Sequence, residues 1–144
     1  MMEENLKNNS QKKGYQYNYS EINNATSSMF ESKGRIPKAE KTISILKAHL
    51  KKTSNLKLLD IGSSTGIMTN EYSKHFQEVV GIDIDSKAVK FAKEKFQNDN
   101  LTFIASPLEE YNFVNSTFDV ITCSHIYEHV PSDEILMDTI YNLS

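Results

Sequence analysis

The sequence predicts an α/β fold built around a mostly parallel sheet. Two observations support this prediction. Short, nearly continuous apolar runs alternate with amphipathic helical patterns, and the first run leads into a glycine turn while the second ends in an aspartate. Strands that alternate with helices pair in parallel through right-handed crossovers. Such sheets bind ligands at the carboxyl ends of their strands, so we expect the functional residues there. The length of 144 residues fits one domain.

The first segment differs in composition from the rest of the chain. Residues 1–34 are rich in Asn, Ser, Lys and Gln and poor in aliphatic side chains, which is typical of a flexible arm. A helical pattern starts at Pro37, a residue suited to the first helical position. Its apolar residues recur at helical spacing at Ile43, Leu46 and Leu50. We therefore predict a flexible arm over residues 1–34 and a folded domain over residues 35–144.

Four apolar runs predict buried strands. They cover residues 56–61, 78–83, 101–104 and 118–124. Helical patterns follow the first two strands, over residues 67–75 and after Ser86, which we predict to be an N-cap. A short turn or helix connects the third and fourth strands, and a last helix is predicted to start at Pro131 and Ser132.

The turn after the first strand has the sequence LLDIGSSTG over residues 58–66. Gly62 allows a sharp turn close to a ligand, and Gly66 opens a helix whose free N–H groups face the crevice. Asp83 ends the second strand 21 residues after Gly62. In a nucleotide-binding βαβ unit, an acid at this place accepts hydrogen bonds from ribose hydroxyls. The pattern therefore predicts a nucleoside site.

Asp60 decides which nucleoside cofactor fits the turn. Its carboxylate, two residues before Gly62, would repel the pyrophosphate of NAD or FAD. S-adenosyl-L-methionine carries a positive ammonium and a positive sulfonium and no phosphate. We therefore favour S-adenosyl-L-methionine. A nicotinamide-dependent oxidoreductase is the enzyme alternative, against which Asp60 and the lack of glycine at Ser64 argue.

These segments resemble the class I S-adenosylmethionine-dependent methyltransferases of the small-molecule branch. LLDIGSSTG resembles their first motif, VGIDI over residues 80–84 their second, and FDVI through EHV over residues 118–130 their fourth-strand region. The resemblance covers roughly residues 36–143. It implies a Rossmann-like sheet in the order 3-2-1-4 with helices on both faces.

The resemblance also implies where the cofactor is held. Asp60, Gly62 and Gly66 would line its methionine portion, together with Ser64, where the family usually has glycine. Asp83 would hold the ribose, and Ile84 would pack on the adenine. The residues beside the base would be Ser106, Pro107 and Leu108, and those near the sulfonium Ser124 and His125.

Two further residue roles follow from the resemblance. Ser106 stands where the family usually has an aspartate, which removes one acceptor for the adenine amino group. Arg35 is a looser candidate for the cofactor carboxylate. We assign no catalytic residue, because Glu128 and His129 are better interpreted as shaping the loop after the fourth strand.

The length of the chain leaves a third hypothesis open. The family fold continues for about three more strands, whereas this sequence stops after the fourth strand and its helix. The fourth strand would then expose an apolar edge. We expect that the sequence is a fragment, or that a partner chain covers this edge. A non-catalytic binding module is therefore the alternative to an enzyme that methylates a small-molecule acceptor.

Composition argues against other partners. The net charge of −3 favours neither nucleic acid nor anionic membranes, and no apolar stretch approaches the ~18–20 residues of a membrane span. The single cysteine, Cys123, excludes an internal disulfide and fits a cytoplasmic protein. HIYEH over residues 125–129 matches the inverted zinc-peptidase pattern. We predict no metal site, since the first histidine follows a strand and Pro131 follows the second.

Overall fold

The computed structural model describes residues 30–113, 116–124 and 133–143. Most of the predicted arm lies outside these residues, and so does the segment that contains His125, Glu128 and His129. The predictions for both segments therefore stay predictions.

The described residues form a parallel sheet with helices between its strands. The elements in order are α1 (Ser32–His49), β1 (Lys57–Ile61), α2 (Ile67–Ser73), β2 (Glu78–Asp83), α3 (Ser86–Lys95), β3 (Leu101–Ala105), β4 (Val120–Cys123) and α4 (Asp133–Leu143). Two short 3₁₀ helices, Thr53–Asn55 and Leu108–Glu110, precede β1 and follow β3. The strand order is β3-β2-β1-β4, and every pair is parallel. The predicted order 3-2-1-4 is confirmed.

Both faces of the sheet are covered because the strands carry apolar side chains on both sides. On one face, Leu58, Val79 and Val120 pack with residues of α1 and α2, and Phe103 packs with Val89 and Ala92 of α3. On the other face, β1 and β2 side chains pack against α4 and the β3–β4 connection. This second cluster contains Leu59, Ile61, Val80, Ile82, Leu108, Phe118, Leu136 and Leu143. Helices on both faces, as predicted, leave the carboxyl ends of the strands as the open edge.

The first helix begins earlier than its sequence pattern indicated. It starts at Ser32, so the predicted boundary between arm and domain at residue 34 falls inside it, and Pro37 is an interior residue. At this position Pro37 removes the helical hydrogen bond to the carbonyl of Lys33. Phe30, just before the helix, packs edge-on against Phe91 of α3 with ring centroids 4.8 Å apart. This contact anchors the segment to the domain.

Two other predicted boundaries are corrected. The N-cap of α3 is Asp85 rather than Ser86, because the Asp85 carboxylate accepts hydrogen bonds from the backbone N–H groups of Lys87 and Ala88, both at 3.1 Å. The fourth strand starts at Val120 rather than at residue 118. Phe118 is instead a buried core residue whose N–H donates to the carbonyl of Leu143 at 2.9 Å.

Candidate ligand site at the carboxyl ends of the strands

The turn between β1 and α2 contains three residues in the left-handed region. Gly62, Ser64 and Gly66 have φ values of 78°, 49° and 76°. The N–H groups of Gly62 and Ser63 both donate to the carbonyl of Ile82, at 2.8 and 3.1 Å, which folds the turn onto β2. A side chain in this conformation costs roughly 1–2 kcal/mol. Ser64 therefore holds a backbone shape that suits glycine better.

Asp83 connects this turn to the loop after β2. Its Oδ2 accepts from the N–H of Ser64 at 2.7 Å, and its Oδ1 accepts from the N–H of Asp85 at 2.8 Å. Burial raises the pKa of Asp83, whereas these backbone hydrogen bonds lower it. An ionised carboxylate offers about four acceptor positions. Asp83 is partly exposed, and it retains acceptor capacity for hydroxyls of a ligand.

Asp60 faces the protein's own hydroxyl groups. It is 4% exposed, its Oδ2 accepts from Thr69 Oγ1 at 2.7 Å, and its Oδ1 accepts from Thr122 Oγ1 at 2.8 Å. Burial raises the pKa of Asp60 to about 6, the two threonine hydrogen bonds lower it, the charge of Asp83 raises it, and the charge of Arg35 lowers it. Its predicted contact with the methionine portion stays a prediction.

The sequence interpretation missed both threonines. Thr69 lies in the first turn of α2, three residues after Gly66, and Thr122 pairs with Asp60 in the register of β1 and β4. For Thr122, a polar residue within the apolar strand was the available signal, because buried polar groups need partners. Thr69 stands among other polar residues of α2, and the sequence carries no such signal for it.

Two glycines allow close packing at this end of the sheet. A Cβ atom on Gly66 would lie 2.6 Å from Cζ of Phe103 and 2.8 Å from Cβ of Ala92. A Cβ atom on Gly81 would lie 2.8 Å from Cβ of Ser63. Gly66 therefore seats the start of α2 on β3 and α3. Gly81 was missed by the sequence interpretation, although a glycine inside a strand indicates close backbone approach.

The remaining predicted residues lie at the ends of β2, β3 and β4. Ile84 follows β2 and is partly buried. The N–H of Ser106 donates to the carbonyl of Asp83 at 2.9 Å, and its hydroxyl donates to the carbonyl of Pro107 at 2.9 Å. Leu108 is 9% exposed and belongs to the core below the site. Ser124 is exposed directly after β4.

The polar groups of this end of the sheet fit a hydroxylated, positively charged ligand. Among the described residues, the side-chain oxygens of Ser63 and Ser64 are buried without a hydrogen-bond partner, and an unpaired buried hydroxyl is costly. The acids Asp60 and Asp83 surround the same turn. The negative charge of these acids opposes a pyrophosphate and favours a nucleoside that carries positive groups.

Two features of the described residues bear on other functions. No group of three or more His, Cys, Asp or Glu side chains there has the arrangement of a metal site. No helix in that part of the chain is both long enough and apolar enough to cross a bilayer.

Comparison with known proteins gives a consistent result. The family model described as "Methyltransferase domain" matches residues 59–143. The ubiquinone biosynthesis O-methyltransferase of Psychrobacter cryohalolentis is 29% identical over 92 residues, which are 60% of this chain and 36% of that protein. The protein of the same name in Vibrio parahaemolyticus is 33% identical over 78 residues, 52% of this chain and 33% of that protein. The chain thus spans about a third of these curated relatives.

Solved structures share the fold. The plantazolicin methyltransferase BpumL in complex with S-adenosylhomocysteine superposes with a TM-score of 0.62 and 26% identity, over 87% of this chain and 47% of that one. The magnesium protoporphyrin IX methyltransferase of Synechocystis PCC 6803 with bound S-adenosylmethionine has a TM-score of 0.68 and 16% identity, over 89% of this chain and 68% of that one. At this identity the second likeness concerns the fold alone.

Proposed function

Because the chain belongs to the methyltransferase domain family, whose model matches residues 59–143, we propose that it binds S-adenosyl-L-methionine and transfers its methyl group to a small-molecule acceptor. The observation that carries this proposal is the position of Asp83. Its carboxylate lies at the end of β2, ties the glycine turn to the next loop, and keeps acceptor positions for the two ribose hydroxyls.

The residues of the chain have separate roles in this proposal. The turn over residues 62–66 approaches the methionine portion. Ile84 packs on the adenine, next to Ser106, Pro107 and Leu108. Ser124, exposed directly after β4, is assigned to the sulfonium end of the cofactor, and His125, predicted beside it, lies outside the described residues.

The reaction makes modest demands on the protein. When bound, the cofactor would supply a methyl group on a positively charged sulfur, and a nucleophile that attacks the methyl carbon in line would displace the neutral thioether. The protein contributes binding and alignment, and alignment alone can supply ~7–11 kcal/mol of the barrier. The relatives named above are O-methyltransferases by name, which supports a small-molecule acceptor. No general base is assigned.

Titration calorimetry tests the cofactor assignment directly. We expect the 144-residue chain to bind S-adenosylhomocysteine and not NAD. Asp83→Asn should weaken binding by about 10- to 100-fold, the equivalent of ~1.5–3 kcal/mol for hydrogen bonds to a charged group. Asp99→Asn is the matched control and should leave affinity unchanged. Asp99 is exposed and lies just before β3, at the end of the sheet opposite the site.

The alternatives predict different results. Binding of NAD without S-adenosylhomocysteine would favour the oxidoreductase. Binding of neither ligand by folded protein would favour the non-catalytic module, with the partner chain predicted at the edge of β4. Radiolabelled methyl transfer to a panel of hydroxylated small molecules then tests the reaction itself.

A further inference from the structure

A buried carboxylate joins three elements beneath the glycine turn. Asp60 belongs to β1, Thr69 to α2 and Thr122 to β4, and they are 4%, 0% and 9% exposed. The hydroxyl-to-carboxylate distances of 2.7 and 2.8 Å are close to those of charge-assisted hydrogen bonds. The two threonine hydroxyls therefore account for the polar partners of a carboxylate that contacts almost no solvent.

The arrangement links the two sides of the site. On the β2 side, the turn is held by backbone hydrogen bonds to Ile82 and by Asp83. On the β4 side, Asp60 reaches Thr122, two residues before Ser124, where β4 has ended. Thr69 holds the first turn of α2 to the same carboxylate. The positions of the turn, the start of α2 and the end of β4 thus depend on one side chain.

We propose that Thr69 and Thr122 are positioning residues for the cofactor: they hold Asp60 so that the glycine turn and the end of β4 keep the separation that the cofactor needs. They act through Asp60 and do not touch the ligand. This inference rests on the proposed function, since it concerns affinity for the same cofactor.

The ionisation of Asp60 provides a signal specific to this role. Burial raises its pKa to about 6, and the two threonine hydrogen bonds lower it. The other groups that act on it are Asp83 of β2 and Arg35 of α1. The charge of Asp60 in turn raises the pKa values of Tyr72 of α2 and Cys123 of β4, after the larger effect of their burial. Removing either threonine hydroxyl should therefore raise the pKa of Asp60 further.

The test compares valine and serine at both positions. Valine keeps the shape of threonine without its hydroxyl, and serine keeps the hydroxyl. We expect Thr69→Val and Thr122→Val to weaken S-adenosylhomocysteine binding by about tenfold, a usual size for coupling through packed neighbours, and the serine variants to restore most of the affinity. Thr102→Val, on the exposed side of β3, is the matched control and should bind like the wild type.

A pH series separates positioning from simple packing. In the wild type, affinity should change around pH 6, where Asp60 titrates. In each valine variant, the midpoint of this change and the Asp60 pKa measured by carbon-13 NMR should move upward. A valine variant that does not fold is replaced by Thr→Ala at the same position, which removes the hydroxyl and admits water.

The possible failures can be told apart. If the wild type binds S-adenosylhomocysteine and the valine variants bind it equally well with an unchanged midpoint, the positioning role is wrong and the proposed function stands. If the wild type itself does not bind, both fail. If serine weakens binding as much as valine does, the hydroxyls are not responsible and the inference is overturned.

Discussion

Replacement of Gly66 by alanine is the most direct test of the packing that seats α2 on the sheet. Gly66 is the N-cap of α2 and has a φ of 76°. A Cβ atom there would approach Cζ of Phe103 to 2.6 Å and Cβ of Ala92 to 2.8 Å. Phe103 is 4% exposed and packs in a cluster with Val89 and Ala92. The ring therefore has little room to move away.

Two costs add for Gly66→Ala. The left-handed backbone costs an alanine roughly 1–2 kcal/mol, and an extra methyl group in a filled core typically costs ~1–3 kcal/mol. We therefore expect the free energy of unfolding to fall by roughly 2–5 kcal/mol. A domain of this size has only ~5–15 kcal/mol in total, so the variant should be close to unfolding.

Urea denaturation followed by circular dichroism measures this change. Gly34→Ala is the matched control, because Gly34 lies inside α1 and a methyl group added there would have no neighbouring atom within 4 Å. Alanine there should stabilise the helix by roughly 0.5–1 kcal/mol. The packing argument is refuted if Gly66→Ala unfolds at the same urea concentration as the wild type, or if the two alanine variants change stability in the same direction.

Three further predictions concern conformation, capping and ionisation. Ser64→Gly should raise the free energy of unfolding by roughly 1 kcal/mol, because it relieves a φ of 49°; a lower urea midpoint would contradict this. Asp85→Ala should cost roughly 0.5–2 kcal/mol as a lost N-cap, whereas Ser86→Ala should be nearly neutral, and thermal unfolding in the reverse order would contradict the cap observed. Because burial raises the pKa of Asp60 from 3.8 to about 6, the unfolded chain loses this proton first as pH rises. The free energy of unfolding of the wild type should therefore fall as pH rises from 3.8 to about 6, by up to about 3 kcal/mol relative to Asp60→Asn. Parallel pH–stability curves for the two proteins would contradict this argument.

The fold could be predicted from the sequence because both faces of the sheet are buried. Continuous apolar runs mark such strands, and β2 was predicted with the bounds Glu78–Asp83 that the structure has. The start of α1 could not be predicted, because Ser32 to Ile36 lack an apolar stripe and Pro37 has the features of a first residue. Tertiary contacts such as that of Phe30 with Phe91 hold this segment against α3, and they have no local signal.

The N-cap of α3 shows a similar limit. Asp85 and Ser86 are adjacent and both are good N-caps, so composition alone does not choose between them. The choice depends on backbone conformation: Asp85 is extended, with φ −78° and ψ 95°, and its carboxylate reaches two N–H groups. Ser86 is already helical, and its side chain is exposed.

The two acids of the site differ in a way that register, and not residue type, determines. Asp60 pairs with Gly81 and with Thr122, so it lies one step inside the end of β1 and shares a face with both. Asp83 is two residues beyond Gly81 on that same face, and successive residues on one face are ~6.6–7 Å apart along a strand. Asp83 therefore lies beyond the last residue pair of β1 and β2. Its carboxylate contacts backbone N–H groups and solvent there, whereas the carboxylate of Asp60 contacts hydroxyl groups. The two aspartates therefore have different roles. Asp83, at the outer position, can accept hydrogen bonds from a ligand, and Asp60, at the inner position, fixes the elements that form the site.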